Sequence, residues 1–206
     1  MYTLYARNQA GSMAVEALLA ACGATYEVIV LNRKEDGSFE DFFRAINPKA
    51  EVPTLVLPDG SVMTESAAMM IYIAEQFPEA GLAPLPGEAG RAQFLRWQVY
   101  LAAALYTSDL RLFYPQHFTT DANGAEGVKT RAAEMMAQEF AIYAAALGEK
   151  TFMLGRLSAV DIYAAMMCTW APDMGVLFAA HPNLKRMYDT VLQNAAVKTV
   201  WERNGM

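Results

Sequence analysis

The spacing of apolar residues changes its period several times in the first third of the chain. Residues 2–6 (YTLYA) are a short apolar run and predict a strand. Residues 12–22 (SMAVEALLAAC) set Val15, Leu18, Leu19 and Cys22 at helical spacing, and Gly23 falls where a helix C-terminal glycine belongs. Residues 26–32 (YEVIVLN) are rich in β-branched residues and predict a second strand. A solvated turn, 33–38 (RKEDGS), leads to a short helix over 39–46 (FEDFFRAI). Asn47-Pro48 ends that helix, because the residue before a proline avoids the α region. TLVLP (54–58) and SVMT (61–64) flank Asp59-Gly60, a hairpin signal that makes the two strands antiparallel. From Ser66 to Phe77 the period is helical again. The order is β-α-β-α-β-β-α, with the first two strands parallel through a right-handed crossover.

Residues 78–90 (PEAGLAPLPGEAG) carry three prolines and three glycines and predict a linker. No strand pattern follows. Helical periodicity runs over about 91–118, 126–147, 159–171 and 183–194, with a short helix near 195–203. The chain thus divides into a mixed domain over 1–77, a linker over 78–90 and an all-helical domain over 91–206. In GRLSAVDIY, Ser158 and Asp161 have the spacing of a capping box, and Leu157 and Ile162 that of a hydrophobic staple. This motif predicts the start of a core helix and no chemistry.

Composition narrows the function. Of 206 residues, 54% are hydrophobic, which is ample for a packed core. The net charge is −6 and no Lys/Arg cluster occurs, which argues against nucleic-acid binding. Cys22 and Cys168 lie in apolar helical surroundings and read as buried thiols. They form no CxxC pair, His117 and His181 stand alone, and no Cys/His spacing predicts a metal site. The N-terminus does not read as a signal peptide, and no apolar run is long enough for a membrane span. A soluble, cytoplasmic protein is the expectation.

The candidate chemistry lies between residues 50 and 66. Val52-Pro53 stands at a strand entrance, where a proline without an N–H fits. A cis bond there would make a tight turn and expose the Val52 main chain to an extended peptide-like ligand. Glu65 and Ser66 then open a helix. A helix N-terminus holds carboxylates through its free N–H groups, the Ser66 hydroxyl adds a donor, and Glu65 attracts an ammonium. The pair suits an α-amino-acid head. Read singly, Pro53 is a strand-entry proline and Thr64-Glu65-Ser66 a helix start.

Together, NPKAEVPTLVLPDG, TESAAMMIYIAE and SAVDIYAAM on this element order resemble the cytosolic glutathione transferase family, over nearly the whole chain. The resemblance implies a thioredoxin-like N-terminal domain, an all-helical C-terminal domain, glutathione as co-substrate without a metal, and a homodimer. It implies that Val52 bonds the cysteinyl backbone, that Pro53 is cis, and that Glu65 and Ser66 hold the γ-glutamyl group. It further implies that Lys34, or Arg33, meets the glycyl carboxylate. Glu51 stands where many members have Gln. The Cys-Ser pair common in beta-like bacterial members is here Gly11-Ser12.

Such an enzyme must favour the thiolate of glutathione, which a hydrogen bond to sulfur and a helix N-terminus both do. Ser12, at the start of the first helix, and Tyr5, at the end of the first strand, are the candidate activators. A backbone donor or the amides of Asn8 and Gln9 are further alternatives. Tyr106, Phe113 and Tyr114 are candidates to line an apolar pocket for a small hydrophobic electrophile. Two other functions share the frame: a glutathione-dependent peroxidase or reductase, and a non-enzymatic ligand-binding stress protein.

Overall fold

The computed structural model describes residues 1–34 and 37–206, which fall into two compact units. The first comprises Met1–Arg91 and Val191–Met206, the second Ala92–Thr190.

The first unit is thioredoxin-like. Strands β1 (Tyr2–Ala6), β2 (Tyr26–Val30), β3 (Thr54–Val56) and β4 (Val62–Met63) form a sheet in the order β2-β1-β3-β4. β1 runs parallel to β2 and antiparallel to β3, and β3 pairs antiparallel with β4, as the crossover and the Asp-Gly turn predict. Helices α1 (Ser12–Ala21), α2 (Asp41–Ile46) and α3 (Ser66–Gln76) complete the β-α-β-α-β-β-α order. Alternation along β1 sends neighbours to opposite faces. Leu4 is fully buried, as are Val15, Leu18 and Leu19 of α1, Leu55 of β3, and Met69 and Ile73 of α3. Tyr5 instead joins Leu31, Phe39 and Phe43 in a second apolar cluster. Each fully buried aliphatic side chain contributes roughly 1.5–3 kcal/mol. Gly23 (φ 68) follows α1, as its position predicts. Of the expected turn over 33–38, residues 35 and 36 lie outside the described residues.

The expected linker is folded onto this unit. It holds a 3-10 turn, Pro78–Ala80, and the Arg91 guanidinium binds both the Glu75 carboxylate and the Pro84 carbonyl. The last residues also belong here. They read as part of the helical domain because their periodicity is helical, but periodicity does not say which core a helix joins.

The second unit is all-helical. α4 (Arg91–Tyr100) runs through a π-helical turn at Leu101–Leu105 into α5 (Tyr106–Phe113), and a 3-10 turn follows at Pro115–Phe118. The single helix expected over 91–118 is therefore interrupted; Tyr114 precedes a proline and leaves the α region. α6 (Ala125–Leu147), α7 (Ala159–Thr169), α8 (Met174–Ala180) and α9 (Pro182–Val191) follow. α8 was not foreseen. Asp173 caps it by accepting the Val176 N–H at 3.0 Å. The capping box opens α7 as read: the Ser158 N–H and hydroxyl donate to Asp161 at 2.9 and 2.8 Å, and the Met153 N–H donates at 2.8 Å. α7 is buried almost along its length, with Cys168 inside, whereas Cys22 in the first unit is only half-buried. Among the described residues, no helix is long and apolar enough to cross a membrane. Helix α10 (Ala195–Arg203) returns to the first unit. It packs on α1 through buried Val197, Val200 and Trp201.

Asp109 on α5 is a buried carboxyl group whose Oδ1 finds no partner among the described residues, and burial pushes its pKa up from 3.8 to about 7. The folded state then holds a proton that the unfolded state has released between these two values, so this group lowers stability as pH rises through that window. Asp109→Asn should remove the loss, giving a higher melting temperature than wild type at pH 8 and little difference at pH 4. Thermal melts at the two pH values check it.

Candidate functional site

The register of the sheet gathers three loops. Thr54 lies beside Tyr5, and Met63 beside Leu55. The chain therefore leaves β1, enters β3 and leaves β4 at the same end of the sheet. The loops there are 7–11, 47–53 and 64–65. Among the described residues, three non-glycine residues have positive φ: Gln9 (56°), Ala50 (51°) and Glu65 (66°). One lies on each loop. Such conformations persist only where the surroundings impose them, and they concentrate at functional sites.

The 47–53 loop is built on the Asn47 side chain, which is buried. Its Nδ2 donates to the Glu51 carbonyl at 3.0 Å and to Thr54 Oγ1 at 2.9 Å, and its Oδ1 accepts the Lys49 N–H at 3.1 Å. The Thr54 hydroxyl donates to the same Glu51 carbonyl at 2.8 Å, and the Ala50 N–H donates to the Asn47 carbonyl at 2.8 Å. The Ala50 and Val52 side chains pack against the Tyr5–Phe43 cluster. Val52-Pro53 is cis, as expected. No hydrogen-bond partner of the Val52 main chain is found among the described residues.

Beside this loop Ser66 begins α3. Glu65 is exposed, and its carbonyl accepts the Met69 N–H at 3.0 Å, so the left-handed residue also closes the first helical turn. Lys49 binds Glu51 at 2.9 Å. The hydrogen bond and the charge of Glu51 raise the Lys49 pKa against its desolvation, and the charge of Glu65 adds to the effect. Lys34, the cation expected to meet a carboxylate, lies 3.5 Å from both Glu40 and Asp41.

In the 7–11 loop, Ser12 is only 1% exposed. Its hydroxyl donates to the Arg7 carbonyl at 3.0 Å and accepts the Arg7 N–H at 3.2 Å. The one hydroxyl proton is thus committed to bracing the loop. The Tyr5 ring packs 5.4 Å from Phe43 and 6.5 Å from Phe42, between centroids.

The remaining candidates lie on the second unit. The Tyr106 ring meets Trp170 edge-on at 5.1 Å, Tyr114 stacks on His117 at 5.8 Å, and Phe113 is 55% exposed. An open groove of about 530 Å³ in this unit is lined instead by Leu95, Arg96, Val99, Tyr100, Ala103 and Ala104. Among the described residues, no group of three or more His, Cys, Asp or Glu side chains is placed to hold a metal ion.

Sequence reasoning missed Asn47 and Lys49. Asn47 was read only as a helix terminator; an Asn that ends a helix and is followed by a short loop is also a source of turn hydrogen bonds, and that was the available signal. Lys49 carried no signal, since a charge in a loop reads as solvated.

Residues 12–76 match the family model described as glutathione S-transferase, N-terminal domain. The chain is 29% identical to an uncharacterized GST-like protein, YncG, of Escherichia coli (strain K12), over 94% of each. It superposes on a sphingomonad glutathione S-transferase complexed with glutathione with a TM-score of 0.83, at 28% identity over 99% of each chain. A glutathione transferase homolog from Sulfitobacter with bound glutathione gives a TM-score of 0.90 at 25% identity, over 100% of this chain and 99% of that one.

Asn47→Ala leaves the Thr54 hydroxyl and the Glu51 carbonyl short of a donor and the Lys49 N–H without an acceptor. The expected loss of stability is about 1–3 kcal/mol, read as a lower urea midpoint at unchanged slope.

Proposed function

Because the chain belongs to the glutathione S-transferase family, we propose that it is a glutathione transferase, binding glutathione at the gathered loop edge and joining its sulfur to small apolar electrophiles. The observation that carries the reading is the set of three left-handed non-glycines, one on each loop, at the end of the sheet where α3 begins.

Each part of the tripeptide has a complementary group. The γ-glutamyl carboxylate sits on the N–H groups and partial positive charge at the start of α3, with the Ser66 hydroxyl as a further donor. Its ammonium takes the exposed Glu65 carboxylate. The cysteinyl unit pairs in β fashion with the Val52 main chain beside Pro53. For the glycyl carboxylate the candidate cations are Lys34, with Arg33 beside it, and Lys49; both lysines are already near acidic side chains, so it competes for them. The sulfur lies toward the 7–12 loop, where the N-terminus of α1 favours the thiolate. Ser12 serves there by holding the loop to Arg7, and Tyr5 by supporting the strand end within its aromatic cluster. A donor from the main chain of residues 8–11, or from the Asn8 or Gln9 amide, completes the stabilisation.

The reaction is direct. The thiol proton leaves, the thiolate sulfur forms a bond to an electrophilic carbon, and a leaving group departs or the adduct takes up a proton. Tyr106, Phe113 and Tyr114 are the residues proposed to line an apolar pocket for the electrophile. A cytoplasmic homodimer goes with this reading.

Retention on immobilised glutathione, followed by conjugation of a chromogenic aryl halide, tests it. Binding with turnover is expected. Binding without turnover with any electrophile or hydroperoxide would make the protein a carrier instead. Ser66→Ala should weaken glutathione binding roughly 5- to 150-fold, the equivalent of about 1–3 kcal/mol for a charge-assisted contact. Titration calorimetry checks this, and wild-type affinity in the variant would remove Ser66 from the site.

A further inference from the structure

The last turn of the chain is tied to the loop between β1 and α1. Gln9 is exposed, yet both its main chain and its side chain are held. Its N–H donates to Asn204 Oδ1 at 3.0 Å, and its Nε2 donates to the Asn204 carbonyl at 3.2 Å. These bonds span 195 residues of sequence. Asn204 is itself fixed, being 7% exposed, with its Nδ2 donating to the Val200 carbonyl at 2.8 Å. One residue earlier, Arg203 pairs with Glu16, which is buried on α1. Gly205 (φ 79) carries the chain past Gln9, and a Cβ placed on it would lie 3.7 Å from Gln9 Nε2.

A purely architectural role does not account for this arrangement. α10 is already anchored by Val197, Val200, Trp201 and the Arg203–Glu16 pair. The Asn204 side-chain oxygen is turned away from its own helix, toward a loop residue that needs an outside hold to stay at φ 56. One Nε2 hydrogen of Gln9 is used in this clasp, which leaves the second available as a donor.

We propose that Asn204 is a positioning residue for thiol activation. Through Gln9 it fixes residues 7–11 in the conformation that meets the glutathione sulfur. The proposal rests on the glutathione-transferase reading above. It makes the C-terminal end of the chain part of the apparatus that sets thiolate formation, without contact to the tripeptide's γ-glutamyl group.

The test uses the full-length protein and two variants, Asn204→Leu and Gln9→Gly. Glycine relieves the left-handed strain at an exposed position while removing the side-chain arm, so this variant folds even where a change at buried Asn204 does not. Conjugation of an aryl halide is followed against pH, and glutathione affinity is measured by calorimetry. Both variants should move the acid limb of the pH–rate profile up by about one pH unit, a roughly tenfold loss of rate on that limb, with glutathione affinity changed by no more than about twofold. Asn204→Leu removes the acceptor of the Gln9 N–H, and Gln9→Gly removes the donor to the Asn204 carbonyl, so each breaks one of two parallel bonds and the double variant should lose at least as much as either alone. An unmoved profile in Gln9→Gly overturns the positioning role. A wild-type protein that neither binds glutathione nor lowers its thiol pKa overturns the underlying reading, and this proposal with it.

Discussion

A left-handed main-chain conformation at a residue with a Cβ must be imposed from outside. Gln9, Ala50 and Glu65 all have it, and each is held differently. Asn204 holds Gln9, the Asn47 turn and the Tyr5–Phe43 cluster hold Ala50, and the first hydrogen bond of α3 holds Glu65. The sheet register brings these three constraints to one edge. The proposed site is the place where three strained loops meet, and its rigidity comes from the groups that enforce the strain.

Two of those groups are asparagines, Asn47 and Asn204, and both are buried. A primary amide offers donors and acceptors on a short arm, so one side chain can satisfy several main-chain groups that a loop would otherwise leave bare. Asn47 does this for its own turn. Asn204 does it across nearly the full length of the chain. The first unit is thus closed by its own C-terminus, while the apolar faces of α1, α3 and α10 supply the bulk of its cohesion.

Much of this was legible in the residues. The four strands, the hairpin at Asp59-Gly60, Gly23 after α1 and the Ser158–Asp161 box are all local patterns, and local patterns are what a sequence displays. α8 escaped because Met174–Ala180 is too short to show a period. The break at Leu101–Leu105 escaped because LAAAL suits an α-helix as well as a π turn. Ser12 was visible as a hydroxyl at a helix start, but its partner, the Arg7 main chain, depends on how the loop folds back. The membership of α10 and the Asn204 clasp were invisible for a plainer reason: nothing near residue 204 refers to residue 9.

The π turn at Leu101–Leu105 has an evolutionary consequence. It accommodates one residue more than a regular helix over the same length. Deleting one alanine from Ala102–Ala104 would restore an unbroken rod and leave the helix beyond it facing almost as it does now, because the wide turn already absorbs the extra residue. The chain can therefore gain or lose one residue at this point while Tyr106 and Phe113 keep their line. The bulge is a place where length is free to vary and orientation is not.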